Sequence, residues 1–220
     1  EKLIPKDHGF GTRRVPMETQ YFESYNRENV ELIDIIETPI QKITNNGILT
    51  TDREFEFDFI IFATGFDGVF GSYNRIDIRG VNGCKLKDQW EQKLATFLGI
   101  LTNNFPNLFM IMGPHAMQGN NPRSIEYNAD WITGLIKYMG AHGLTRAEPI
   151  LESQESWHQF VLEQGRDRLM NQVDSWMTGV NRNLEGRQTR MILQYTGGQA
   201  AFRSRCAEVA QNGYKELNPR

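Results

Sequence analysis

Two adjacent arginines in a glycine-bearing loop, Gly9-Phe10-Gly11-Thr12-Arg13-Arg14, are the first residues of this sequence equipped for chemistry. A guanidinium stays charged and presents a planar fork of donors, so such a pair can clamp a phosphate or stabilise a developing oxyanion. A solvated basic loop is the plain alternative. The second candidate is a run from 108 to 139 that reads strand, Gly113-Pro114, polar loop, helix. The amino end of a helix carries unpaired N–H groups and a partial positive charge, which suits a phosphate, a carboxylate or the anionic edge of a reduced flavin. Asn120, Asn121, Arg123 and Ser124 add to that polarity, although a capped helix that binds nothing has the same pattern. Third, Ala63-Thr64-Gly65 directly follows the apolar run at 55–62, and small residues at the carboxyl end of a buried strand mark the ligand edge of an open α/β sheet. Trp176, in Ser175-Trp176-Met177-Thr178-Gly179, can stack on a cofactor as part of a closing loop or simply anchor that loop on the core.

Other chemistries are not suggested. His8, His115, His142 and His158 lack metal-ligand spacing. His115 falls in the candidate loop as a possible pocket residue, while His142 and His158 read as surface residues. The sequence has no GxSxG, HExxH or GxGxxG.

The elements that must position these groups follow from pattern. A short helix is expected within 18–26 and a strand at 30–36. A hairpin, 40–44 with 48–51, is expected around Asn45-Asn46-Gly47. Further strands are expected at 55–62, 96–101, 108–112 and 191–195. Asn121 reads as the N-cap of a helix whose stripe is Ile125, Ala129, Ile132, Ile136 and Met139, stopped by Gly143. A second helix is expected over 153–173 with Trp157, Phe160 and Val161 inward, and a closing helix over 200–211. The class is α/β, with strands in two groups, neither of which alternates like a complete doubly wound domain.

Composition narrows the partners. Hydrophobic residues at 39% and charged residues at 23% suit a folded core. The net charge of -3 offers no cationic surplus for nucleic acid or a membrane surface. Cys84 and Cys206 are far apart, so neither a disulfide framework nor zinc is indicated and a reducing cytoplasm is expected.

Seven stretches occur in a telling order: GFGTRRVP, YFESYNRENVEL, EFDFIIFATGFD, FPNLFMIMGP, RSIEYNADWITGLIKYM, SWMTGVN and NGYKEL. Together they resemble the C-terminal portion of type I Baeyer–Villiger monooxygenases, the group containing cyclohexanone and phenylacetone monooxygenases. ATG before Phe-Asp is shared with other flavin monooxygenases; GTRR upstream of it points to the Baeyer–Villiger branch. The resemblance implies the C-terminal halves of two Rossmann-like domains. Residues 1–11 would be the connection from a helical insertion, 12–60 would complete the NADP-binding domain, and 61–220 would complete the FAD-binding domain. A missing N-terminal part would carry the GxGxxG motifs.

The activity so implied uses FAD, NADPH and O2 to convert a ketone to an ester or lactone through a peroxyflavin. Arg14 matches the catalytic arginine, and Arg13 a basic position that contacts the NADP phosphate. Ala63, Thr64 and Gly65 match the segment near the flavin, Asn121 the helix start beside the flavin ring, and Trp176 a tryptophan on a loop that folds over NADP. The stretch RNLEGRQTRM after Asn181 departs from the Pro-Gly-Lys-Pro run of several relatives. Another flavin-containing or N-hydroxylating monooxygenase, or a module without catalysis of its own, are the alternatives.

Overall fold

A computed structural model describes residues 2–117 and 119–220. Two compact units divide the chain, residues 1–65 and 66–220.

The first unit is built on a small antiparallel sheet. Strands β1 (Ile40–Ile43), β2 (Gly47–Thr50) and β3 (Glu54–Glu56) follow in the order β1-β2-β3. The hairpin between β1 and β2 forms where Asn-Asn-Gly requires it. Thr44 stiffens the turn, its hydroxyl accepting from the Gly47 amide at 3.0 Å. Gly47 is obligatory for close approach, because a Cβ there would lie 1.8 Å from the Phe55 carbonyl oxygen. Helix α1 (Tyr21–Ser24) is a single turn. One expected strand is absent and another is cut short. Residues 30–34 are irregular and 35–37 form a turn, with Ile35 and Ile36 exposed, and the 55–62 run leaves the sheet after Glu56. Phe59 and Ile61 are then 89% and 90% exposed. An apolar strand gains its stability from neighbouring strands, and no described residue pairs with this one beyond β3.

The second unit packs helices around irregular but buried backbone. Short helices α2 (Gly71–Asn74) and α3 (Leu86–Gln92) precede the long α4 (Asn121–Ala141), α5 (Leu151–Gly165) and α6 (Gln199–Gln211). The larger core joins Phe97, Leu101, Leu135, Val161, Tyr195 and Phe202. A smaller one groups Phe70, Leu86, Trp90, Phe105, Met110 and Leu193. Trp157 stacks on Tyr195 at 5.2 Å between centroids, and the Trp131 indole N–H donates to the Cys206 carbonyl at 2.9 Å. The chain end is tied down as well: Arg146 and Arg220 exchange backbone hydrogen bonds of 2.7 and 2.9 Å.

Several expectations need correction here. Residues 96–101, 108–112 and 191–195, mostly buried or partly buried with Ile111 exposed, are not strands; Met110 donates to the Ile100 carbonyl at 2.8 Å, and isolated bridges join Phe97 to Leu101 and Met117 to Tyr195. The buried face of α4 is Ser124, Asn128, Trp131, Ile132, Leu135 and Met139, with Ile125 and Ile136 exposed. That face is rotated from the apolar stripe because two buried polar residues and Trp131 sit where the core is. Helix α5 ends at Gly165, whose Cβ position is blocked by Ile192 at 2.5 Å, and Phe160 is exposed.

Candidate functional site

In the first unit the arginine loop is a tight turn. The Thr12 hydroxyl donates to the Gly9 carbonyl at 2.6 Å, and Gly11 takes φ 79°, a left-handed conformation that favours glycine. Thr12 is buried, and Arg13 and Arg14 project outward from it. Arg13 pairs with Asp7 at 3.2 Å. A hydrogen bond from His8, with help from Arg13, holds the Asp7 carboxyl below the usual carboxylate range. Ala63, Thr64 and Gly65 are exposed and irregular, and Gly65 has φ 89°.

In the second unit the loop before α4 is held by backbone on both sides. Gly113 donates to the Gly99 carbonyl at 3.0 Å, His115 to the Leu193 carbonyl at 2.8 Å, and Tyr195 to the Ala116 carbonyl at 3.2 Å. The Thr96 hydroxyl donates to Pro114 at 2.8 Å. Gly99 has no substitute, since a Cβ there would sit 2.3 Å from the Ala116 amide nitrogen. The backbone thus delivered opens α4. Its cap is Asn120, not Asn121: the Asn120 side chain accepts from the Arg123 amide at 3.3 Å, and Asn121 is the first helical residue. The capping oxygen must precede the donors it satisfies by two or three residues, and Asn120 has that spacing. Ser124 is buried in the first turn, and its hydroxyl has no hydrogen-bond partner among the described residues. Asn128, one turn on, donates to the Ile111 carbonyl at 2.7 Å.

His115 does not line an opening. It is buried, with φ 64°, and its ring lies 5.2 Å from that of His158, which is also buried rather than at the surface. Burial, aided by the charge His158 would carry, pushes His115 down to about 3; the same burial lowers His158.

Trp176 is half exposed on a 3-10 turn, Trp176–Thr178, closed by reciprocal bonds between Ser175 and Thr178. Its indole rests on Gly68, where an added Cβ would be 3.0 Å from the ring. Near it lies a feature that no sequence signal announced. Arg187 forms a buried ion pair with Asp67 at 3.2 Å and lies over the Phe70 ring at 3.7 Å. The partners are 120 residues apart. Asp67 follows the ATG segment and so had a sequence landmark, whereas Arg187 sits in a stretch that looked merely polar. Within its unit the structure therefore gathers Trp176, Gly68, Asp67 and Arg187 on one face of the smaller core.

No family model matches the chain. Individual relatives do. It is 41% identical over 97% of its length to the 2-oxo-Δ3-4,5,5-trimethylcyclopentenylacetyl-CoA monooxygenase of Pseudomonas putida, covering 40% of that protein. It is 37% identical over 99% of its length to a Baeyer–Villiger monooxygenase of Pseudooceanicola batsensis, covering 39% of it. The structure superposes on the OTEMO complex with FAD and NADP with a TM-score of 0.88 at 41% identity, covering all of this chain and 40% of that one. Over its length the chain is homologous to the Baeyer–Villiger monooxygenases. It spans about two fifths of the length of the curated relatives it matches. The ordered motifs from GTRR to NGYKEL, and not any one of them, carried this kinship in the sequence.

Proposed function

We propose that this chain is the C-terminal part of a flavoprotein Baeyer–Villiger monooxygenase that converts a ketone to an ester or lactone with NADPH and O2. The observation that carries the reading is the start of α4. A 21-residue helix presents its amino end on a loop held by Gly99, Thr96 and Leu193, and among the described residues the buried Ser124 hydroxyl in its first turn has no partner. The partial positive charge of that helix end and the Ser124 hydroxyl, which has no partner among the described residues, fit the anionic edge of a reduced flavin. Homology to proteins with FAD and NADP bound supports the same assignment.

On this reading residues 12–60 complete a Rossmann-like NADP-binding domain and 61–220 an FAD-binding one. Residues 1–11 connect them to an insertion, and an upstream polypeptide supplies the GxGxxG motifs. The exposed Phe59 and Ile61 then have a place, as one strand of a sheet whose other strands that polypeptide provides. Asn121 and its neighbours seat the flavin. Ala63, Thr64 and Gly65 lie along it, Gly65 permitting close approach through its left-handed backbone. Arg13 holds the NADP phosphate, exchanging its exposed Asp7 partner for the stronger anion. Trp176 covers the nicotinamide cofactor. When bound, the flavin takes electrons from NADPH and activates oxygen for insertion beside the carbonyl. The role of Arg14 is to hold negative charge on oxygen during that insertion. Its guanidinium cannot lose its proton near neutral pH, so it stabilises the anion without quenching it. A cytoplasmic setting belongs to the same reading; among the described residues no helix is long and apolar enough to cross a membrane.

The test is Arg14→Ala in the full-length polypeptide. FAD binding is expected to persist, with ester formation from ketones lost by at least 100-fold while NADPH oxidation continues. That loss corresponds to about 2.7 kcal/mol, the usual size of an oxyanion contact. Ester formation at the ordinary rate would overturn the assignment of Arg14.

A further inference from the structure

The segment from Asp174 to Met191 is a preformed body. Asp174 accepts from Arg190 at 2.7 Å and from Arg182 at 3.0 Å. Met191 donates to the Thr178 carbonyl and Asn181 to the Arg187 carbonyl, each at 2.9 Å. Such a loop moves or stays as a unit, and what decides its position is how it is fastened to the rest of the fold. Two fastenings reach across to residues 67–70. One is the indole of Trp176 on Gly68. The other is Arg187, whose guanidinium pairs with Asp67 and lies flat on Phe70.

We infer that Asp67, Phe70 and Arg187 form a latch that positions Trp176 on the segment following Gly65. Both charged side chains are largely out of water, at 9% and 15% exposure, and one Arg187 nitrogen, Nη1, has no partner among the described residues. A desolvated guanidinium held by one carboxylate and one ring face is stable only while both are present. Without Asp67 its burial is uncompensated, and the cheapest relief is for the loop to swing the cation into solvent. The Trp176 indole leaves with it, because the loop is internally rigid. Asp67, Phe70 and Arg187 are thus positioning residues, acting through Trp176. Only the functional consequence of the latch rests on Trp176 being the cover of the nicotinamide cofactor.

The test exploits the four tryptophans. Trp90, Trp131 and Trp157 are at most 7% exposed, whereas Trp176 is 50% exposed. Acrylamide quenching of the full-length protein, with Trp176→Phe as the blank, therefore reports on Trp176, and hydrogen exchange over 174–191 reports on the loop. Asp67→Asn and Arg187→Met are expected to raise loop exchange at least tenfold and to increase Trp176 quenching, with the amides of α4 still protected. Arg187→Lys keeps the charge and loses the planar contact with Phe70, so it should give an intermediate rise, and it decides the matter if the other two variants fail to fold. Unchanged quenching and exchange in folded Asp67→Asn, or in Arg187→Lys where that is the only folded variant, would overturn the latch. The KM for NADPH, measured on the same variants, separates the two ideas. A rise in KM with kcat nearly constant supports both. A loosened loop with unchanged KM keeps the latch and overturns the reading of Trp176 as a cofactor cover.

Discussion

Acid should loosen the larger core of the second unit, and His115 sets the size of the effect. The ring is buried, meets His158 at 5.2 Å and has Nδ1 without a partner among the described residues, so a proton on it is costly. Its pKa is held at about 3 in the folded protein, against an ordinary 6.5 once unfolded. The unfolded chain therefore binds the proton more readily throughout the interval between these values. Stability from this group is complete above pH 6.5 and declines as pH falls from there toward 3. Each pH unit inside that window costs about 1.4 kcal/mol, so a drop from pH 7 to pH 5 removes about 2 kcal/mol from His115 alone. His158 shifts in the same direction and steepens the slope. The assay is urea denaturation between pH 5 and pH 8, followed by the fluorescence of the buried tryptophans. The perturbation is His115→Asn, which does not titrate and accepts the left-handed backbone of this position, φ 64°. The variant loses packing and is less stable at every pH, but its slope between pH 7 and pH 5 should be shallower by about 1 kcal/mol per unit. Parallel slopes for the two proteins would refute the account of His115 as a neutral, desolvated ring.

Two further substitutions probe the loop that opens α4. Gly99→Ala combines a left-handed backbone, costing about 1–3 kcal/mol, with an overpacked contact against Ala116 backbone, costing about 1–3 kcal/mol more, and urea midpoints should show the protein close to unfolding. Asn120→Ala removes the cap of α4 and should cost about 1 kcal/mol, with hydrogen exchange of the Arg123 amide rising while the amides around Leu135 stay protected. Normal protection at Arg123 in that variant would count against Asn120 as the cap.

Local chemistry was legible in the sequence wherever neighbours along the chain decide the outcome. The turn at Asn45-Asn46-Gly47, the start of α4 within one residue and the span of α6 are set by backbone preferences and short-range hydrogen bonds, which travel with the sequence. The ordered motifs likewise displayed kinship without coordinates. What the tertiary structure alone decided were matters of partnership at long range. Residues 96–101 and 191–195 have the apolar content of strands, but a strand exists only if another lies beside it, and here backbone from three distant segments meets singly around Gly99 and Ala116. Periodicity placed Ile125 and Ile136 inward on α4, yet the neighbours that bury a helix face selected Ser124, Asn128 and Trp131. His158 went inside because α5 packs it against His115, and the Asp67–Arg187 pair joins residues with no sequential relation. Burial and charge pairing are properties of the space between segments, and a linear pattern carries them only where that space is closed by the next few residues.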